Sequence, residues 1–153
     1  MALEFFAAGT TVTSKADGSP VTPADSAVER SIVDELTAAR ADDAVIGEEL
    51  GVHGDSDRMW NVDPIDGTSF FIRRRTQWRV QVALTVAGRV EVAVVTAPAM
   101  GLQWWTERGA GAFEAAWPGR NDVTRLAVST NASLADAVLD AVWANLDRLH
   151  AAG

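Results

Sequence analysis

Met59-Trp60-Asn61-Val62-Asp63-Pro64-Ile65-Asp66-Gly67-Thr68 is the stretch on which the reading of this chain turns. Met59 to Val62 has the apolar character of a short buried strand. Pro64 has no N–H to donate, so it is expected to stop the strand ladder there. The turn it forces can bring Asp63, the carbonyl of Ile65 and Asp66 around one point. Oxygen donors without cysteine or histidine suit a hard cation, Mg²⁺ first and Mn²⁺ or Ca²⁺ as alternatives. Gly67 lets the backbone come close to a ligand. Thr68 opens a helical turn whose free N–H groups suit a phosphate. Taken singly, Asp-Gly and Asp-Pro are ordinary turn chemistry. Two carboxylates, a proline, a glycine and a threonine in that order, after a buried strand, are much harder to obtain as a generic turn.

Working outward, Ala44 to Gly47 reads as another short buried strand, and it runs straight into Glu48-Glu49. Both acidic clusters thus stand at strand ends, where side chains leave the core. Upstream, Thr22 is a good helix cap, Pro23 fits the first helical position, and Asp25 lies three residues after the cap. Val28, Ile32 and Leu36 recur every four residues, with Glu29, Arg30 and Asp34 assigned to other faces, and the helix is expected to end near Arg40. Before it, the stretch to Phe6 reads as the tail of a helix, Thr10 to Ser14 as a strand, and Lys15 to Pro20 as a loop turning at Asp17-Gly18. Gly51 to Asp57 reads as polar loop.

Past Arg73-Arg74-Arg75 the chain becomes strand-rich. Arg79 to Val86, Arg89 to Ala97 and Leu102 to Glu107 form an expected antiparallel meander, with turns at Gly88 and at Pro98 to Gly101. Gly109 to Phe113 is a turn into a further strand, Leu126 to Val128 is extended, and Leu134 to Leu149 is helical with Ser133 as its cap. The expected fold is α+β: helices packed on a mainly antiparallel sheet. Arg73 to Arg75 is open between a solvated loop and a phosphate-facing or interface role. Trp104-Trp105 reads as core plus surface packing. His53 and His150 match no catalytic position.

The chain has 153 residues, 48% hydrophobic and 22% charged, an ordinary globular composition expected to form a single domain over 1–153. There is no cysteine, which excludes a disulfide framework and a cysteine nucleophile. Thirteen basic residues against 21 acidic ones give a formal charge of −8, unfavourable for binding nucleic acid. No apolar run is long enough to span a bilayer, and no signal-peptide pattern is visible, so no membrane partner and a cytoplasmic location are expected. Lys15 is the one lysine and the other basic residues are arginine, a composition associated with bacterial coding sequences.

Asp63-Pro64-Ile65-Asp66-Gly67-Thr68, with Phe71 three positions on, resembles the first signature of the inositol monophosphatase family. Ile46-Gly47-Glu48-Glu49 resembles the family's upstream glutamate segment. Lys15 to Asp25 is similar to its lysine-to-aspartate segment, and Gly109-x-Gly111-Ala112-Phe113 to its glycine-rich strand turn. Phe71-Ile72-Arg73, Trp78 and Ala97-Pro98-Ala99-x-Gly101-x-x-Trp104-Trp105 look most like the bacterial histidinol-phosphate phosphatase branch. The branch normally has a glycine and a proline where Arg74 and Thr76 stand.

The resemblance implies a Mg²⁺-dependent phosphomonoesterase acting on a small phosphorylated metabolite, histidinol phosphate or an inositol monophosphate. It implies Glu48, Asp63 and Asp66 as side-chain metal ligands and Ile65 as a carbonyl ligand. It assigns catalytic roles to Glu48, Thr68 and Asp25, with Thr68 orienting the attacking water. Gly67, Thr68 and Asp66 would hold substrate. The family's second signature, Trp-Asp, has no match here, so the expected correspondence is to the N-terminal half of such a protein, clipped at both ends. A non-catalytic or weakly active fragment is the alternative. An incompletely covered sheet face is then expected, and with it self-association, for example as a homodimer.

Overall fold

The computed structural model describes residues 1–119, 121–130 and 132–133. The expected helix from Leu134 to Leu149 and His150 lie outside the described residues. Among the described residues ten strands and three α-helices follow one another, with a 3₁₀ turn at Pro98–Met100. They are α1 (Ala2–Ala8), β1 (Thr13–Ser14), β2 (Pro20–Val21), α2 (Pro23–Ala39), β3 (Ala44–Gly47), β4 (Gly51–His53) and β5 (Arg58–Asp66). Then come α3 (Thr68–Ile72), β6 (Arg79–Val86), β7 (Arg89–Ala97), β8 (Leu102–Glu107), β9 (Gly111–Ala116) and β10 (Thr124–Leu126). No helix among the described residues is long and apolar enough to cross a membrane.

Eight strands form one sheet in the order β10-β9-β8-β7-β6-β5-β3-β4. All its pairs are antiparallel except β3 with β5, which is parallel. The three strands of the meander have the bounds expected from their alternation and their turns. β1 and β2 form a separate hairpin across the Asp17-Gly18 turn, so only the end of the expected Thr10 to Ser14 strand is paired. The stretch read as loop after Gly51 contains β4, held against β3 by backbone pairing at the sheet edge rather than by burial of its own side chains.

α2 forms because its first turn is satisfied twice over. The Thr22 side chain accepts from the Ala24 N–H, and Asp25 Oδ2 accepts from the Thr22 N–H at 2.9 Å. Its inward face packs Val33 against Val45 of β3 and Val62 of β5, with Ile32, Leu36, Trp60 and Val82 around them. Glu29, assigned to another face from sequence, is fully buried. It follows Asp25 by four residues and therefore shares its stripe. A second cluster, Ala24, Ile65, Phe71 and Trp78, lies under α1 through Phe5 and Phe6. Phe71 and Trp78 meet edge-on with centroids 5.0 Å apart.

Arg74 answers the question left open by the arginine triplet. Its guanidinium donates to the carbonyls of Phe6 and Ala7, the latter at 2.7 Å, and so closes the C-terminal end of α1. Trp104 and Trp105 face opposite sides of the sheet. Trp104 Nε1 donates to Glu114 at 2.6 Å, and Trp105 stacks on Phe113 at 5.6 Å.

Candidate metal centre

The parallel β3–β5 pair builds the site. Val45 pairs with Trp60 and Gly47 with Val62, so the next residues in step are Glu48 and Asp63. The Glu48 N–H carries the ladder one rung further, donating to the Val62 carbonyl at 3.2 Å. Side chains alternate across a sheet. Val62 lies under α2, so Glu48, Asn61 and Asp63 face the other side, where they line an open groove of about 420 Å³ with Gln81 and Val95.

Pro64 does not end β5, which stays extended to Asp66. It interrupts the ladder instead: Asp63 pairs with Gln81 and Asp66 with Arg79, with an irregularity between them. A proline cannot donate, and a bulge of this kind re-aims the side chains beside it. Ile65 is driven into the core and its carbonyl is left for Thr68. Gly67 has φ of 82°, and a Cβ there would lie 3.0 Å from the Gln77 carbonyl oxygen. Both facts demand glycine at the entry to α3.

Thr68 Oγ1 stands 3.0 Å from the Ile65 carbonyl oxygen and 3.2 Å from Asp25 Oδ1. Asp25 is in turn held by the Thr22 N–H and by the Thr22 hydroxyl, which donates to Asp25 Oδ2 at 2.7 Å. The cap of α2 and the threonine after β5 are therefore one hydrogen-bonded unit. The structure thus brings Asp25, Ile65 and Thr68 together, and Glu48 beside Asp63.

Asp63 is the electrostatically loaded member. Burial, the charge of Glu48 and the charge of Asp66 push its carboxyl up to about 7. Its Oδ1 is buried with no hydrogen-bond partner. A buried carboxyl oxygen without a partner, on a group whose ionisation two neighbouring carboxylates oppose, fits the donor set of a cation. The three carboxylates do not form a ready cage: among the described residues, no group of three acidic or histidine side chains is close enough to hold a metal ion as it stands. Glu48, Asp63 and Asp66, which the resemblance implies as side-chain ligands, thus do not share one coordination sphere as they stand.

Lys15, at the hairpin between β1 and β2, supplies a positive charge here. Its Nζ lies 2.6 Å from both Glu48 Oε1 and Glu49 Oε1. Burial works against the ammonium, but hydrogen bonds to the two glutamates outweigh it and hold Lys15 above the ordinary lysine range. Lys15 and Glu49 lie in separate segments with no local signal to pair them, and Glu29, assigned to another face of α2 from sequence, belongs to the buried one. The spacing of four between Asp25 and Glu29 was the available signal for the latter.

A mixed sheet with a carboxylate cluster where a parallel pair ends, backed by a capped helix and an Asp–Thr contact, defines an α+β protein with an acidic cleft. The profile of the inositol monophosphatase family matches residues 2–148, and the chain belongs to that family. A histidinol-phosphatase of Mycobacterium tuberculosis is 42% identical over 137 residues, 87% of this chain and 52% of that one. A Streptomyces griseus protein named glucose-1-phosphate thymidylyltransferase is 44% identical over 115 residues, 74% of this chain and 44% of that one. The solved structure of a Thermotoga maritima IMPase superposes with a TM-score of 0.77 at 34% identity, covering 87% of this chain and 50% of that one. The chain spans about half the length of the relatives it matches.

Proposed function

We propose that this chain belongs to a divalent-cation-dependent phosphatase of small phosphate monoesters, with histidinol phosphate as the first substrate to test. The observation that carries the reading is the orphaned, buried Asp63 Oδ1 beside the charges of Glu48 and Asp66. Family membership and the 42% identity to a histidinol-phosphatase support it.

Glu48, Asp63, Asp66 and the Ile65 carbonyl are the oxygen donors that would hold Mg²⁺. When bound, the cation supplies Lewis-acid chemistry, easing deprotonation of water and offsetting phosphate charge. The residues do the rest. Asp25, fixed by the cap of α2, accepts from the Thr68 hydroxyl and so sets the direction of its lone pairs toward a water. Free N–H groups at the entry to α3, beside Gly67, suit phosphate oxygens. Pro64 and the bulge keep Asp63 and Asp66 on rigid strand backbone rather than on a loop.

Metal binding with little turnover by this chain alone is the second reading, favoured by its spanning half of its relatives. The two are tested together. Wild type and Asp63→Asn are titrated calorimetrically with Mg²⁺. Phosphate release from histidinol phosphate, inositol 1-phosphate and an aryl phosphate is then measured in Mg²⁺ and in chelator. Mg²⁺ binding lost in Asp63→Asn is expected in either case, with any phosphate release lost alongside it. Release indifferent to chelator and to Asp63→Asn overturns the phosphatase reading, and no Mg²⁺ binding by wild type overturns both.

A further inference from the structure

We propose that Glu29 is a positioning residue for the candidate metal centre, its buried carboxylate holding the turn after β3 so that Glu48 is presented to Asp63. The inference rests on the metal-centre reading above. Glu29 is fully buried on α2, and among the described residues it takes part in no ion pair. Its Oε2 accepts from the Glu49 N–H at 2.8 Å and its Oε1 from the Leu50 N–H at 2.6 Å. Two short bonds to an acidic side chain are of the stronger kind.

The arrangement reaches through the end of the sheet. Gly47 faces α2, and a Cβ there would lie 1.9 Å from Glu29 Oε1. The last residue of β3 is therefore glycine because a carboxylate fills the place of its side chain. Glu48 emerges on the opposite face. Its own N–H is fixed to the Val62 carbonyl, and the next two N–H groups are fixed to Glu29. Burying a carboxylate is costly, and a well-packed apolar side chain would generally serve stability as well or better. What an apolar residue cannot do is hold two consecutive amides and so set where Glu48 points.

The test is Mg²⁺ calorimetry on the whole chain, comparing wild type, Glu29→Gln and Glu29→Asp, with Asp63→Asn as the binding control and thermal unfolding in chelator beside it. Glutamine presents an NH₂ to one of the two N–H donors and keeps one bond at best. Aspartate keeps the carboxylate but falls one methylene short of the two amides. A loss of supporting groups around metal ligands typically weakens binding about 10–100-fold, and that loss in the folded variants is expected here. A merely structural role would lower Tm and leave Kd unchanged, which overturns the proposal while wild-type binding keeps the metal centre. No binding by wild type, with folding intact, overturns both. Hydrogen exchange in wild type needs no variant: the Glu49 and Leu50 amides are expected to be protected, and rapid exchange at both overturns the proposal.

Discussion

Lys15 Nζ stands 2.6 Å from Glu48 Oε1, the carboxylate whose charge also bears on Asp63. An ammonium at that distance occupies part of the field that a cation would use. The lysine is a quarter exposed and Glu48 about half exposed, so the pair is screened and worth little in isolation.

Lys15→Met is therefore expected to tighten Mg²⁺ binding modestly, by about twofold to fivefold, the equivalent of roughly 0.5–1 kcal/mol for a partly exposed pair. Calorimetric titration at low salt checks it. Weaker binding in Lys15→Met would show that the lysine supports the glutamates rather than competing with the cation.

Asp63 has an opposite relation to the fold in the metal-free protein. Its carboxyl is pushed up from the ordinary 3.8 to about 7, chiefly by burial and then by Glu48 and Asp66. Between those two values the native state binds the proton more than the unfolded chain does, so stability falls as pH rises. Asp63→Asn cannot ionise and escapes that loss. In chelator at pH 8 it is expected to be more stable than wild type by on the order of 1 kcal/mol, solvent screening having reduced the full effect. Near pH 4 the gain should vanish. Urea melts at the two pH values test this, and destabilisation of Asp63→Asn at pH 8 would refute it.

The same titration sets the pH dependence of metal binding. A proton on Asp63 competes with the cation, so Mg²⁺ affinity should climb through pH 7 and level off about one unit above it. Binding below that point should release a proton. Titrations in buffers of different ionisation enthalpy read the proton directly, and an affinity flat from pH 6 to 8 contradicts the assignment of Asp63 as a ligand.

How much of this was visible in the chain differs by element. The meander strands and α2 were legible because their signals are local: Gly88, the Pro98 to Gly101 turn, strict alternation, and a cap at Thr22 with Asp25 three residues on. The Asp63 to Thr68 cluster was legible for the same reason. What was not legible depends on residues far apart. The parallel pairing of β3 with β5 aligns Glu48 with Asp63 across a loop and an intervening strand. The role of Gly47 appears only once Glu29 is seen against it. β5 running on past Pro64 reflects pairing with β6 on the far side of the bulge, which no local rule contains.

Thr22→Val isolates the remaining link in the site. The substitution keeps shape and removes a hydroxyl that accepts from the Ala24 N–H at 3.2 Å and donates to Asp25 Oδ2 at 2.7 Å. Loss of a helix cap costs about 0.5–2 kcal/mol, and the site is buried, so the upper half of that range is expected. In urea this should lower the midpoint without changing the slope, since the surface exposed on unfolding is unaltered. Asp25 keeps its bond from the Thr22 N–H at 2.9 Å but loses the contact that fixes its rotation. Thr68, 3.2 Å from the other Asp25 oxygen, should then be held less firmly, keeping its 3.0 Å contact to the Ile65 carbonyl, while the carboxylates of Glu48, Asp63 and Asp66 are untouched. Mg²⁺ affinity is accordingly expected to stay close to that of wild type, since the bonds of Thr22 go to Asp25 and Ala24 and to none of the proposed ligands. Any Mg²⁺-dependent phosphate release should fall, but less than in Thr68→Val, because that variant removes the orienting hydroxyl itself while Thr22→Val removes only a support of its Asp25 partner. Equal stability of Thr22→Val and wild type would show that Asp25 and Ala24 do not depend on the hydroxyl, and would break the proposed link between the cap of α2 and the site.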